Sequence, residues 1–151
     1  MRTVCALHDE YLSAEPFFRY DAGIRVQRCC GTYRVWRKIP TGSGWKSQFG
    51  GSDLQEIPLT PQFKLWADEC GKAFGGLDLF AVDALERKRE DGSDEYVIIE
   101  LNGSACGFQS NSWKEDSVTL AKELHARLSR VVAESMPKAK KLQQLASLKM
   151  I

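Results

Sequence analysis

No run of apolar residues in this sequence approaches the roughly 18 that would cross a membrane as a helix. The N-terminus, MRTVCALHDEY, carries acids where a signal peptide needs its apolar core. The sequence therefore reads as cytoplasmic. Net charge is nearly absent, with 21 Lys and Arg against 20 Asp and Glu, so bulk electrostatics make no case for nucleic acid or an anionic membrane. The five cysteines (Cys5, Cys29, Cys30, Cys70 and Cys106) form no C-x-x-C pair and are odd in number. His8 and His125 stand at no ligand spacing from them. These absences argue against a zinc site and a disulfide framework, and reduced thiols are the plain expectation. Internal repeats and low-complexity tracts are also missing. What remains is 151 residues, 43% hydrophobic and 27% charged, the composition of one ordinary globular domain.

The most informative stretch runs from Gly76 to Gly103, GLDLFAVDALERKREDGSDEYVIIELNG. Two apolar runs of strand type flank a charged middle containing Asp91-Gly92, the dipeptide that suits a two-residue type I′ hairpin turn. In that register Asp83 falls directly opposite Glu100, with Cβ atoms about 4.5–5.5 Å apart. Strand alternation then puts Asn102 on the same face. Opposed like charges destabilise a sheet unless something positive lies between them. Two carboxylates and an amide oxygen are the hard ligands that Mg²⁺ or Ca²⁺ prefers. The alternative is a longer loop with slipped register, which leaves both acids solvated on an exposed face.

Around this hairpin the chain divides into further elements. Thr3 to Leu12 reads as a short helix, broken by Ala14-Glu15-Pro16-Phe17-Phe18 because the residue before proline avoids the α region. Gly23 to Cys30 and Thr32 to Ile39 read as strands turning at Cys30-Gly31. Pro40 to Ser52 is a glycine-rich loop with a lysine near its centre, either a surface connection or a functional loop. Thr60-Pro61 starts a helix, and Phe63, Trp66, Ala67, Cys70 and Phe74 follow at the spacing of one buried face. Gly75-Gly76 is its expected end. A second helix is expected from about Lys114 to Glu134, with Val118, Ala121, Leu124, Leu128 and Val131 inward. Pro137 stops it, and a basic tail with Leu142, Leu145 and Leu148 follows.

This order predicts an α+β fold, a mostly antiparallel sheet covered by two helices. One sheet face is left for Asp83, Glu100 and Asn102. If Cys30-Gly31-Thr32 is a three-residue loop, Arg25 pairs with Arg37 on that face; a two-residue turn fits the sequence as well. Two arginines facing two acids make either a salt-bridged sheet face or an anion site.

The ordered motifs GIRVQ, YRVWRK, GWKSQFGGSD, KLWADECGKAFGGLDLFAVDAL and YVIIELNGSACGF resemble the C-terminal half of an ATP-grasp fold, and within it the ATP-binding domain of synapsins. The likeness covers about Thr3 to Leu128. It implies an ATP-grasp C-terminal lobe over residues 14–136, residues 1–13 as the end of a truncated preceding subdomain, and residues 137–151 as a basic amphipathic tail. It implies ATP as ligand, with Mg²⁺ or Ca²⁺ held by Asp83, Glu100 and Asn102. Arg37 and Lys46 match basic positions that approach the terminal phosphate, and Arg25 lies on the neighbouring strand. Glu15, Pro16 and Phe17 match a hinge whose backbone meets the adenine. Phe80 and Leu101 beside the acids are assigned to the core.

The chain also departs from the family. Synapsins have glutamate at the position of Asp83 and an apolar residue at that of Asn102, whereas the pattern here is that of ATP-grasp ligases. Gln48 stands where asparagine is commoner. The preceding lobe, whose lysines clamp the α- and β-phosphates, has no counterpart in the sequence, which implies a fragment, a partial gene product or a degenerate copy. The resemblance thus implies a nucleotide-regulated, non-catalytic module with self-association and vesicle or cytoskeletal partners. Its alternative is the second lobe of an ATP-dependent carboxylate–amine ligase.

Overall fold

A computed structural model describes residues 16–40, 52–109 and 111–135. The expected N-terminal helix, Glu15, the loop that carries Lys46 and Gln48, both expected domain boundaries and the basic tail lie outside the described residues. Within them the chain folds as β1 (Ala22–Cys29), β2 (Thr32–Pro40), β3 (Ser52–Ile57), α1 (Pro61–Cys70), β4 (Leu79–Lys88), β5 (Asp94–Asn102) and α2 (Trp113–Ser135). The strands form a five-stranded sheet in the order β3-β2-β1-β4-β5, and every neighbouring pair is antiparallel. The fold is α+β, a sheet with two helices.

Strand alternation divides the side chains between two faces. One face presents Ile24 and Val26 from β1, Val35 from β2, and Phe80, Val82 and Ala84 from β4. These residues form one core cluster with Phe63 and Ala67 of α1. The helix begins as its sequence demands: Thr60 accepts a hydrogen bond from the Phe63 amide at 3.2 Å, with proline at the first helical position. Gly71 caps its C-terminus, and there α1 comes close to the sheet. A Cβ on Gly71 would lie 2.8 Å from Arg28 Nη1 and 3.2 Å from Phe80 Cζ. The helix therefore ends one turn earlier than its spacing suggests. Phe74, expected on the buried face, lies beyond it at φ 54° and is 92% exposed.

The second helix forms where expected but covers the opposite sheet face, and only by its first turns. Asp116 is buried there, accepting hydrogen bonds from Arg34 Nε at 2.9 Å and Gln27 Nε2 at 3.4 Å. Arg34 also bonds Glu115 and Glu56, and these three carboxylates hold its guanidinium well above the usual arginine range. Further along, Arg127 bonds both carboxylate oxygens of Asp78. Val118, Ala121, Leu124, Leu128 and Val131, expected inward, are exposed. The cause is direction: charged anchors fix α2 at its start and middle, and its apolar stripe faces away from the sheet. Among the described residues no helix is long and apolar enough to cross a membrane.

Phe80 is fully buried between α1 and the strands, so Phe80→Ala is expected to cost about 3–5 kcal/mol. Urea unfolding followed by circular dichroism measures it.

Candidate functional site

Asp83 and Glu100 are paired directly across β4 and β5, and the pairing arises from two irregularities that cancel. The turn is a three-residue loop rather than a two-residue one. Arg89 and Ser93 close it, the Gly92 amide bonds the Arg89 carbonyl, and Gly92 takes φ 83°. Asp91 accepts from the Ser93 amide at 2.8 Å instead of taking a central type I′ position. That loop shifts the register by one residue. Continued unchanged, it would set Ile99 against Asp83 and turn Glu100 into the core. A bulge between Asp83 and Ala84 restores the shift: Ala84 pairs with Ile98, Asp83 with Glu100, and Ala81 with Asn102. Bulges commonly re-aim side chains beside functional sites. This one puts Glu100 and Asn102 on the face of Asp83 and sends Leu101 to the core.

Asp83 is engaged on every side. Arg25, its direct partner on β1, donates from Nη1 to Oδ1 at 3.1 Å and to Oδ2 at 2.9 Å. The other Arg25 terminal nitrogen donates to the Cys106 carbonyl at 2.6 Å. Asn102 Nδ2 donates to Asp83 Oδ2 at 2.7 Å. Burial raises the Asp83 carboxyl above the usual carboxylate range; Arg25 opposes the shift, Glu100 adds to it and Asn102 opposes it. Glu100 is exposed and makes no ion pair among the described residues.

The first hairpin takes the two-residue alternative of the two registers that its sequence allows. Cys29 pairs with Thr32 around a two-residue Cys30-Gly31 turn in which Cys30 takes φ 56°. Arg25 is therefore opposite Trp36, not Arg37. This one-residue difference moves Arg37 to the α1 face, where its Nε donates to Glu86 Oε2 at 2.5 Å. Glu86 is buried and also accepts from the Tyr96 hydroxyl at 3.2 Å. Burial and the Glu86 and Asp94 charges push the Tyr96 phenol up to about 12. The structure thus does not bring Arg37 together with Asp83 and Glu100.

The same alternation brings forward a residue that the sequence reading missed. Lys38 pairs with Gly23 and lines a cavity of about 330 Å³ together with Arg25, Asp83 and Glu100. A Cβ on Gly23 would rest in ordinary contact with the lysine stem, 3.8 Å from Lys38 Cβ. Tyr20, Leu54, Leu85 and Ile99 supply apolar walls. Reading Cys30-Gly31 as a two-residue turn was the signal that would have found Lys38. Pro16 and Phe17, which lead toward Tyr20, are exposed, Phe17 at 72%. Asp21 ties this segment to β4 through the Lys88 amide at 2.8 Å. Phe80 and Leu101 belong to the core, as expected.

Chemically, the cavity offers the Asp83 and Glu100 carboxylates and the Gln109 amide beside the cationic side chains of Arg25 and Lys38. No three His, Cys, Asp or Glu side chains cluster as a metal site among the described residues. Asp83 and Glu100 are oxygen donors of the kind that hard cations take, and Asn102 lies beside them with its amide nitrogen turned to Asp83.

The model of the family described as "Synapsin, ATP binding domain" matches residues 1–130. The chain belongs to the synapsin ATP-binding-domain family. A curated relative, synapsin from Drosophila melanogaster, is 26% identical over 126 residues. The match covers 83% of this chain and 12% of that protein, so the chain spans only a small part of its relative's length. Family membership makes ATP the implied ligand and agrees with the α+β lobe described above.

The two neighbouring basic residues should separate in a stability measurement. Arg37→Ala leaves the buried Glu86 charge without its cation and is expected to cost about 3 kcal/mol. Lys38→Ala, which breaks no ion pair among the described residues, should cost under about 0.5 kcal/mol. Urea denaturation of both variants tests the assignment of the two faces.

Proposed function

We propose that this chain is a synapsin-type nucleotide-binding module. Asp83, Glu100 and Asn102 hold a divalent cation, Mg²⁺ or Ca²⁺, while Arg25 and Lys38 neutralise the phosphates of ATP. The observation that carries this reading is the direct opposition of Asp83 and Glu100 at a cavity that also holds two cationic side chains. The bound cation would neutralise phosphate charge and fix the phosphates in place. The residues of the chain do the rest. Asn102 orients Asp83 through its amide hydrogen bond. Lys38 supplies a point charge on a flexible stem, suited to a phosphate oxygen. Leu54, Leu85 and Ile99 offer the apolar surface that a base or ribose needs. Glu15, Pro16 and Phe17 remain the proposed adenine-side segment, and Lys46 a proposed phosphate contact from its loop. For Arg37, the family-based phosphate role competes with its ion pair to Glu86, and we assign it the structural one.

The proposed role is regulatory: nucleotide occupancy controls association with vesicles, the cytoskeleton or further copies of the chain. A second reading, half of an ATP-dependent carboxylate–amine ligase site, is favoured by one observation. Asn102 stands in the acid pair and bonds Asp83, completing the donor pattern that ligases of the ATP-grasp type carry.

Calorimetric titration of ATP with Mg²⁺ or Ca²⁺ tests the site. Asp83→Asn and Glu100→Gln should each weaken metal-dependent ATP binding about tenfold or more, with each tenfold corresponding to about 1.4 kcal/mol. Lys38→Ala should weaken it about tenfold through the lost charged hydrogen bond. Unchanged binding in both acid variants contradicts the metal assignment. ADP release that depends on an added carboxylate and amine would favour the ligase reading; binding without turnover favours the regulatory one.

A further inference from the structure

Arg25 occupies the position from which a cation would approach Asp83. Its guanidinium spans both carboxylate oxygens, at 3.1 and 2.9 Å, and its other terminal nitrogen is held by the Cys106 carbonyl. The Asn102 amide takes a further lone pair of Asp83. The pair is partly buried, with side chains 20% and 23% exposed, so its attraction is screened less than that of a surface pair. Glu100, directly opposite, has no cation of its own among the described residues. The acid pair is thus half neutralised, and the neutralising charge is a side chain and not a bound ion. The Nε of Arg25 is buried without a partner, so the present arrangement does not satisfy all of its donors.

A divalent cation between Asp83 and Glu100 would sit within a few ångströms of this guanidinium and repel it. Left buried without an anion, the displaced arginine opposes metal binding. A phosphate removes that opposition, because the planar fork of arginine fits phosphate as well as carboxylate. Phosphate alone meets the uncompensated Glu100 charge in the same cavity. Each ligand therefore supplies what the other displaces.

We propose that Arg25 is an exchangeable internal counter-cation: it holds Asp83 in the free protein, passes to the nucleotide phosphate when the divalent cation takes Asp83, and so couples metal and nucleotide binding. This rests on the nucleotide–metal reading above and adds a mechanism of regulation to it. The coupling is reciprocal by thermodynamic linkage. A cell concentration of either ligand then sets the affinity for the other.

The experiment is calorimetry on the full chain with three titrants: Mg²⁺ or Ca²⁺ alone, a non-hydrolysable ATP analogue in chelator, and the analogue at saturating metal. The wild type should bind the analogue at least tenfold more tightly with metal, beyond the metal–nucleotide association in solution, which is the same for every variant. In Arg25→Gln, metal alone should bind about tenfold more tightly than to wild type, and the excess coupling should fall below about threefold. Arg25→Lys, which keeps the charge and loses the fork, should be intermediate and serves if Arg25→Gln does not fold. Metal binding that is no tighter in Arg25→Gln, or coupling that survives in both variants, overturns the proposal. Where metal-dependent analogue binding survives unchanged in both Arg25 variants, the nucleotide–metal site itself stands and only the exchange is overturned; a wild type that binds metal and analogue independently overturns both. A wild type that binds neither ligand, singly or together, overturns the underlying reading and this proposal with it.

Discussion

Two carboxylates held opposite each other on neighbouring strands repel, and most features of that sheet face answer the repulsion. Arg25 spans the oxygens of Asp83 and Asn102 donates to it, while Glu100 is left open to the cavity. The chain adopts this arrangement at a cost. β5 must carry a bulge at the level of Ile99 to turn Glu100 outward, and Asp83 is buried enough that its carboxyl is raised above the ordinary range even beside an arginine. A fold selected for stability alone gains nothing from opposed acids. A hard cation with a phosphate ligand uses both of them.

The two faces of the sheet show the same chemistry directed to different ends. On the α1 side a buried acid, Glu86, is matched by Arg37 and Tyr96 and closes off the end of the core. On the other side Asp83 is matched by Arg25 but remains next to a cavity, a second acid and Lys38. Arg37 and Lys38 are adjacent in sequence, and alternation alone separates a structural cation from a site cation. The first hairpin fixes that choice: its two-residue turn, with Cys30 at a left-handed φ, decides which of the two basic residues reaches the acids.

The fold and the acid pair were legible because they rest on strong local signals. The Thr60-Pro61 helix start, the alternating strands and the GGLD-to-ELNG hairpin all form where the sequence places them. Turn lengths were not legible. Asp91-Gly92 suits a two-residue turn, yet the Asp91 side chain caps the Ser93 amide and the loop takes a third residue. The bulge that compensates has no sequence mark of its own, so Asp83 and Glu100 meet by a different route from the one the turn suggests. At Cys30-Gly31 the sequence places the turn but allows two lengths, and only the two-residue one, with Cys30 left-handed, brings Lys38 to the face of the acids. The apolar stripe of α2 has correct helical spacing but faces outward, because Asp116 and Arg127 fix the orientation of the helix through charged contacts. Periodicity reports that a face is apolar, not which neighbour covers it.

In the proposed site, Asp83 and Glu100 hold a cation that bridges ATP phosphate on the Arg25 and Lys38 face. Anomalous diffraction from crystals grown with Mn²⁺ and a non-hydrolysable ATP analogue tests it directly. One strong manganese peak is expected between the two carboxylates, with the terminal phosphates of the analogue against it. Nucleotide bound with no manganese at these residues, or manganese bound elsewhere on the chain, would contradict it.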